Sequence, residues 1–317
     1  MNETERDKAM KRFKVEINAH LLLANSPNIV NFYGFALFEG RLLIAMELMK
    51  MSLGDLQKRF IDMEQTCPEQ LLENIIVNIV DALCECHAAK IMHRDIKPEN
   101  ILINRKGQIK LCDFGISKKF DTSSLATTVI GTCAYLPPER IKKIDQDGPI
   151  KYDSRSDVWS LGITLAELAL GGLPYLKTPQ QSPDFFTVLT AIKDVNANEI
   201  VERCLRNNYS NELCEFVRLC LQEVESRPTF TKLKQAQFYD KISKNVKTEY
   251  INDLLVSLKE ERTRLNIALI GDDWEAPFLN TLKMIYTYDA FHVAQNARKT
   301  VCLIDESNTT KSDESIL

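Results

Sequence analysis

Four side chains in two short stretches could do chemistry together. Asp95, Lys97 and Asn100 fall within six residues of Ile91-Met-His-Arg-Asp-Ile-Lys-Pro-Glu-Asn-Ile-Leu-Ile103, and Asp113 follows in Ile109-Lys-Leu-Cys-Asp-Phe-Gly115. A carboxylate of this kind can accept a proton from a hydroxyl, and an ammonium two residues away can meet an anion. An amide oxygen and a second carboxylate are the hard ligands that Mg²⁺ prefers. One Asp-x-Lys pair would ordinarily be a polar cap on a turn. Two such turns in succession, each fed by an apolar run, point to a built site that suits a hydroxyl proton and Mg²⁺.

The apolar runs on either side of these turns read as short strands. Before them, Phe13, Ile17, Leu21 and Ala24 recur at helical spacing, so a helix is expected over Lys8 to Ala24. Ile29 to Phe38 and Arg41 to Met49 read as two strands around the turn at Glu39-Gly40. Glu69 to Ala89 reads as a long helix with Leu72, Ile75, Ile76, Ile79, Val80 and Leu83 on its buried side. From Tyr152 to Leu233 the pattern is mainly helical, and Tyr250 to Leu265 reads as one more amphipathic helix. Short strands followed by helices give an α+β chain of two lobes, a small mixed one and a larger helical one. The short apolar runs of residues 266 to 304 match neither period. The Ser, Thr, Asn, Asp, Glu and Lys of 305–317 cannot bury a core and read as disordered.

Bulk properties exclude several classes. In 317 residues, 44% hydrophobic and 26% charged content is ordinary for a globular protein. A net charge of −4 supplies no general attraction to nucleic acid or to an anionic membrane. No apolar run approaches the roughly 20 residues that span a bilayer. The nine cysteines are scattered without a Cys-x-x-Cys pair, which reads as reduced thiols in a cytoplasmic interior, with the nucleus also open.

The two turns resemble the catalytic loop and metal-binding turn of protein kinases. Further segments narrow the resemblance to the dual-specificity MAP kinase kinase family: Ser26-Pro-Asn-Ile-Val-Asn-Phe-Tyr-Gly34, Met46-Glu-Leu-Met49 and Tyr152-Asp-Ser-Arg-Ser-Asp-Val-Trp-Ser-Leu-Gly-Ile-Thr-Leu165. It covers about residues 8 to 238. It implies a bilobal kinase fold with a partial small lobe over 1–49, a large lobe over 50–238 and a C-terminal extension over 239–304. It also implies ATP and Mg²⁺ as cofactors, with Asp95 as the base, Lys97 neutralising the phosphate, and Asn100 and Asp113 holding the metal. Met46 would sit behind the adenine, the backbone of Glu47 and Met49 would bond it, and Leu102 would floor it. Glu16 takes the place of the helical Glu that pairs with the nucleotide-binding Lys. Asp157 would brace the catalytic loop, and Glu139 would pair with Arg227. Pro137 stands where the family usually has a small Ala or Ser.

The resemblance extends to regulation. Arg94 would grip a phosphorylated segment between Asp113 and Glu139, and Ser124 and Thr128 carry the family's Ser-x-x-x-Ser/Thr spacing ahead of Gly131. The implied partners are a downstream MAP kinase as substrate and an upstream MAP kinase kinase kinase, which would dock on the 250–265 helix; that helix reads equally as one packing back on the large lobe. One departure stands out. Only fifteen residues precede Glu16, so the Gly-rich loop and strand Lys that roof the phosphates in this family have no counterpart. Two readings therefore stay open: a MAP kinase kinase-like enzyme, or a non-catalytic pseudokinase or scaffold of the same cascade.

Overall fold

The computed structural model describes residues 17–38, 41–114, 133–144, 153–176, 185–246, 248–264 and 285–287. Glu16, Ser124, Thr128 and the tail 305–317 lie outside the described residues. The chain divides into two compact units, a smaller one containing Phe32–Glu47 and residues 285–287, and a larger one containing 17–31 and the rest. The helical residues 17–22, labelled α1, thus group with the larger unit and not with the small-lobe strands that follow them.

The smaller unit is a sheet ordered β1-β2-β6. β1 (Phe32–Phe38) and β2 (Arg41–Met46) form the expected antiparallel hairpin, with an irregularity in register between Phe32 and Gly34. β1 begins later than the apolar run does, because Ile29 bridges Leu111 in the larger unit. β2 ends at Met46, short of the expected Met49. On its other edge β2 pairs with β6 (Ile285–Thr287), which places part of a stretch whose pattern matched no element.

The larger unit is built around α5 (Arg155–Leu170), the predicted helical region's longest element. Residues around its whole circumference are buried, as in a helix with neighbours on every side. It ends at Gly171, whose φ of 75° suits the left-handed C-terminal position. Gly162 lets α8 (Asn211–Cys220) approach: a Cβ there would lie 2.7 Å from the Cys220 Cβ and 2.8 Å from a Leu221 methyl. α3 (Glu69–Ala88) presents Leu72, Ile75, Ile76, Ile79 and Leu83 to the core as its periodicity predicts. α2 (Leu53–Asp62) starts on a reciprocal cap between Ser52 and Asp55. The intervening sheet runs β3 (Met51–Ser52), β4 (Ile101–Ile103) and β5 (Ile109–Leu111), all antiparallel.

After α4 (Pro138–Ile144), α6 (Phe185–Lys193) and α7 (Ala197–Arg206) come α9 (Phe230–Lys234), α10 (Gln237–Ser243) and α11 (Thr248–Arg264). α11 buries Ile251, Leu255 and Leu258, the apolar face its spacing announced. Its first turn abuts the β4–β5 turn at Gly107, where φ is +75° and a Cβ would stand 2.1 Å from the Thr248 carbonyl oxygen. Only a residue without a side chain permits that approach. Among the described residues no helix is long and apolar enough to cross a membrane.

Candidate active site

The catalytic turn is set by what its flanks must do. β4 and β5 pair Ile101 with Leu111, so the residues just outside, Asn100 and Cys112, face each other; the Cys112 N–H donates to the Asn100 carbonyl at 2.9 Å. This puts Asn100 and the neighbouring Asp113 on one end of one ribbon. Pro98 opens the 3₁₀ turn Pro98–Asn100, and Asn100 itself is buried. Its Nδ2 donates to the Asp95 carbonyl at 2.8 Å and to the Asp95 carboxylate at 3.0 Å. With both amide hydrogens committed, the group's accepting oxygen remains for a cation.

Asp95 is 5% exposed, and its carboxylate oxygens receive the Lys97 ammonium at 2.9 and 3.0 Å. Lys97 and Asn100 thus give this buried side chain an ion-pair partner and a hydrogen-bond donor. Lys97, expected to face a phosphate, here holds the base.

The backbone before Asp95 is pinned from α5. The two carboxylate oxygens of Asp157 accept the N–H groups of His93 at 3.0 Å and Arg94 at 2.8 Å, the bracing role expected of it. Arg94 has φ 68°, an αL conformation costly for a side-chain-bearing residue, and so does Asp113 at 59°. Burial pushes the Asp157 carboxyl up to about 6, against the pull of the two N–H donors.

The sequence reading assigned no role to His93. Its ring is fully buried, and burial holds the imidazole down at about 4, so it is neutral at physiological pH. Nδ1 accepts from the Asp95 N–H at 3.4 Å, which leaves the proton on Nε2 to donate to the Cys112 carbonyl at 3.0 Å. His93 therefore ties the catalytic turn to the Asp113 turn. Phe114 packs between it and α1, with ring centroids 5.2 Å from His93 and 5.1 Å from His20.

The Glu139–Arg227 pair forms as expected, with contacts of 2.8 and 3.2 Å. Arg227 also donates to the Gln222 and Arg155 carbonyls and stacks its guanidinium 4.9 Å over Trp159. The proposed adenine contacts divide: Met46 and Glu47 belong to the smaller unit, Met49 and Leu102 to the larger. Leu102 is half-buried at the centre of β4, between buried Ile101 and Ile103. Sequence reading also missed Tyr135 and Glu167, joined by a 2.6 Å hydrogen bond. The one available signal was a lone carboxylate in the largely apolar C-terminal half of α5.

Among the described residues no group of three or more His, Cys, Asp or Glu could hold a metal alone. One amide and one carboxylate suit Mg²⁺, which takes one or two protein oxygens and completes its shell from phosphates and water.

A carboxylate and a lysine on one turn, an amide at its end and a carboxylate on the paired turn, braced from the central helix, match in kind and order the residues of a protein kinase site. The protein kinase domain model matches residues 1–239, and the chain belongs to the protein kinase family, in its MAP kinase kinase branch. It is 40% identical over 216 residues to MAP kinase kinase mkk-4 of Caenorhabditis elegans, covering 67% of this chain and 57% of that protein. It is 36% identical over 260 residues to human dual specificity mitogen-activated protein kinase kinase 7, covering 80% and 59% respectively. Dual specificity mitogen-activated protein kinase kinase sek-1 of C. elegans is 34% identical over 260 residues, covering 78% and 73%. The chain thus spans less than two thirds of the length of the first two relatives.

Proposed function

We propose that this chain carries the catalytic apparatus of a dual-specificity MAP kinase kinase, transferring the γ-phosphoryl group of ATP to Thr and Tyr hydroxyls of a MAP kinase. The observation that carries this reading is the intact Asp95–Lys97–Asn100 constellation, held on Asp157. Asp95 accepts the proton of the substrate hydroxyl as its oxygen attacks phosphorus, and Lys97 offsets charge gathering on the transferred group. Asn100 and Asp113 would hold Mg²⁺, which when bound neutralises the nucleotide's phosphate oxygens. Met49 and Leu102 of the larger unit would contact the adenine.

Activation would follow phosphorylation of Ser124 and Thr128, each adding a charge of about −1.5 to −2 for Arg94 to grip. An upstream kinase would read the outward side of α11, where Asp253, Val256, Lys259 and Glu260 are exposed. The buried side of that helix is already occupied. A cytoplasmic location fits such a cascade.

The deciding experiment incubates the chain, after treatment with an activating MAP kinase kinase kinase, with a MAP kinase and radiolabelled ATP. Label is expected on Thr and Tyr and is expected to vanish in Asp95→Asn. A folded chain that transfers nothing, or an Asp95→Asn variant as active as the parent, overturns the catalytic reading in favour of the scaffold. Mapping that finds neither Ser124 nor Thr128 modified removes the switch.

A further inference from the structure

A helix that is to aim a side chain from its first turn must start at a defined residue, and for α5 that start is set by Asp153. The Asp153 carbonyl accepts the Ser156 N–H at 2.9 Å, and its Oδ1 accepts the Arg155 N–H at 2.9 Å. A residue whose carbonyl receives the first helical bond while its side chain receives another occupies the N-cap position. Ser154, which follows it, is already helical at φ −57° and ψ −22°, and its own side chain makes no capping bond.

Further bonds hold the cap in place. The other carboxylate oxygen, Oδ2, receives Arg155 through Nε at 2.9 Å and Nη2 at 2.5 Å. The remaining arm of that guanidinium, Nη1, donates to the Val224 carbonyl. The Arg155 carbonyl accepts from Arg227, the residue that also holds Glu139. Asp157 lies four residues beyond Asp153, and its two oxygens receive the His93 and Arg94 N–H groups. Those bonds restrain Arg94 at φ 68°, next to Asp95. A frayed first turn could not present both oxygens of one carboxylate to two successive N–H groups.

We propose that Asp153 is a positioning residue for the catalytic turn. By capping α5 it aims the Asp157 carboxylate at His93 and Arg94, and so fixes the backbone that carries Asp95. The aim belongs to the fold; its bearing on phosphoryl transfer rests on the kinase reading. The cap, and not the charge, is what acts. With the Asp153 side chain 41% and that of Arg155 28% exposed, their ion pair contributes little.

Substitution separates the two. Asp153→Asn keeps an oxygen for the Arg155 N–H and removes the charge. Asp153→Glu keeps the charge but carries its oxygens past that N–H. Asp153→Ala removes both. The test is amide hydrogen exchange of His93 and Arg94 in the full chain, with Asn196→Ala as the control for general loss of stability. Asn196 caps α7, its side chain accepting the Asn198 N–H at 3.0 Å. Asp153→Ala and Asp153→Glu are expected to lower protection of the two amides about fivefold, the effect of a typical cap. Asp153→Asn and Asn196→Ala are expected to leave it within about twofold of the parent. Asp153→Glu serves where the alanine variant does not fold. Equal falls in Asp153→Ala and Asn196→Ala, or in Asp153→Ala and Asp153→Asn, would overturn the role, as would no fall at all. In phosphoryl transfer the same two variants should lower kcat about fivefold with KM for ATP unchanged, and Asp153→Asn should restore it. The expected exchange with kcat unmoved would overturn the bearing on catalysis. An inactive chain with the expected exchange would defeat the kinase reading and leave the positioning of the turn standing.

Discussion

Replacing Glu139 by Gln tests how the end of the 113–139 segment is anchored. The substitution keeps the shape of the side chain and removes only its charge. It leaves the Arg227 guanidinium, 0% exposed and unable to shed its proton, without its anion. Breaking one side of a fully buried pair costs about 3–5 kcal/mol, and because Glu139 is 20% exposed water recovers part of that, so a loss of about 2–4 kcal/mol is expected. For a unit of this size that corresponds to a fall in Tm of roughly 5–15 °C. Urea titration gives the free energy, and exchange along Pro138–Ile144 shows whether α4 is the part set loose. Glu139→Leu, Arg227→Met and their combination complete a cycle, in which a coupling of at least about 1 kcal/mol is expected. A Glu139→Gln variant within about 0.5 kcal/mol of the parent, or a coupling near zero, would show that the pair anchors nothing.

Three further outcomes are expected. Asp95→Asn should lower phosphoryl transfer by roughly 10²–10⁴-fold, measured by initial rates on samples that calorimetry shows to be folded. Gly107→Ala forces a Cβ onto the Thr248 carbonyl and an L-residue into φ +75°, so α11 should lift away, seen as faster proteolysis within 248–264. Unchanged proteolysis would show that the turn yields instead. Asp157 and Glu167 both bind a proton more tightly when folded, with values of about 6 and 7, so the stability they contribute is lost as pH rises through those values. Unfolding free energy should therefore be higher at pH 6 than at pH 8 by about 1–2 kcal/mol, and Glu167→Gln should remove most of the difference.

The family and the candidate site were legible in the sequence because they reside in short segments whose residue order is itself the constraint. Asp95, Lys97, Asn100 and Asp113 belong to two turns fed by apolar strands, and a turn's composition and its flanking pattern are local properties. The β1–β2 hairpin, α3 and α11 were visible for the same reason: periodicity is written along the chain. What tertiary structure decided are the pairings between distant positions. The bridge from Ile29 to Leu111 ends the expected first strand early, since a residue bonded to one sheet cannot extend another. β6 finds its place only beside β2, because three residues carry no period of their own. Asp157 announced itself by resemblance, but which two N–H groups it holds depended on where α5 passes the catalytic turn. The environment of Glu167 was least legible of all. Its sequence neighbours are apolar, and the phenol that bonds it, like the carboxylate that repels it, comes from turns 32 and 68 residues away. Charge state is fixed by burial and by neighbours in space, and only the fold supplies those.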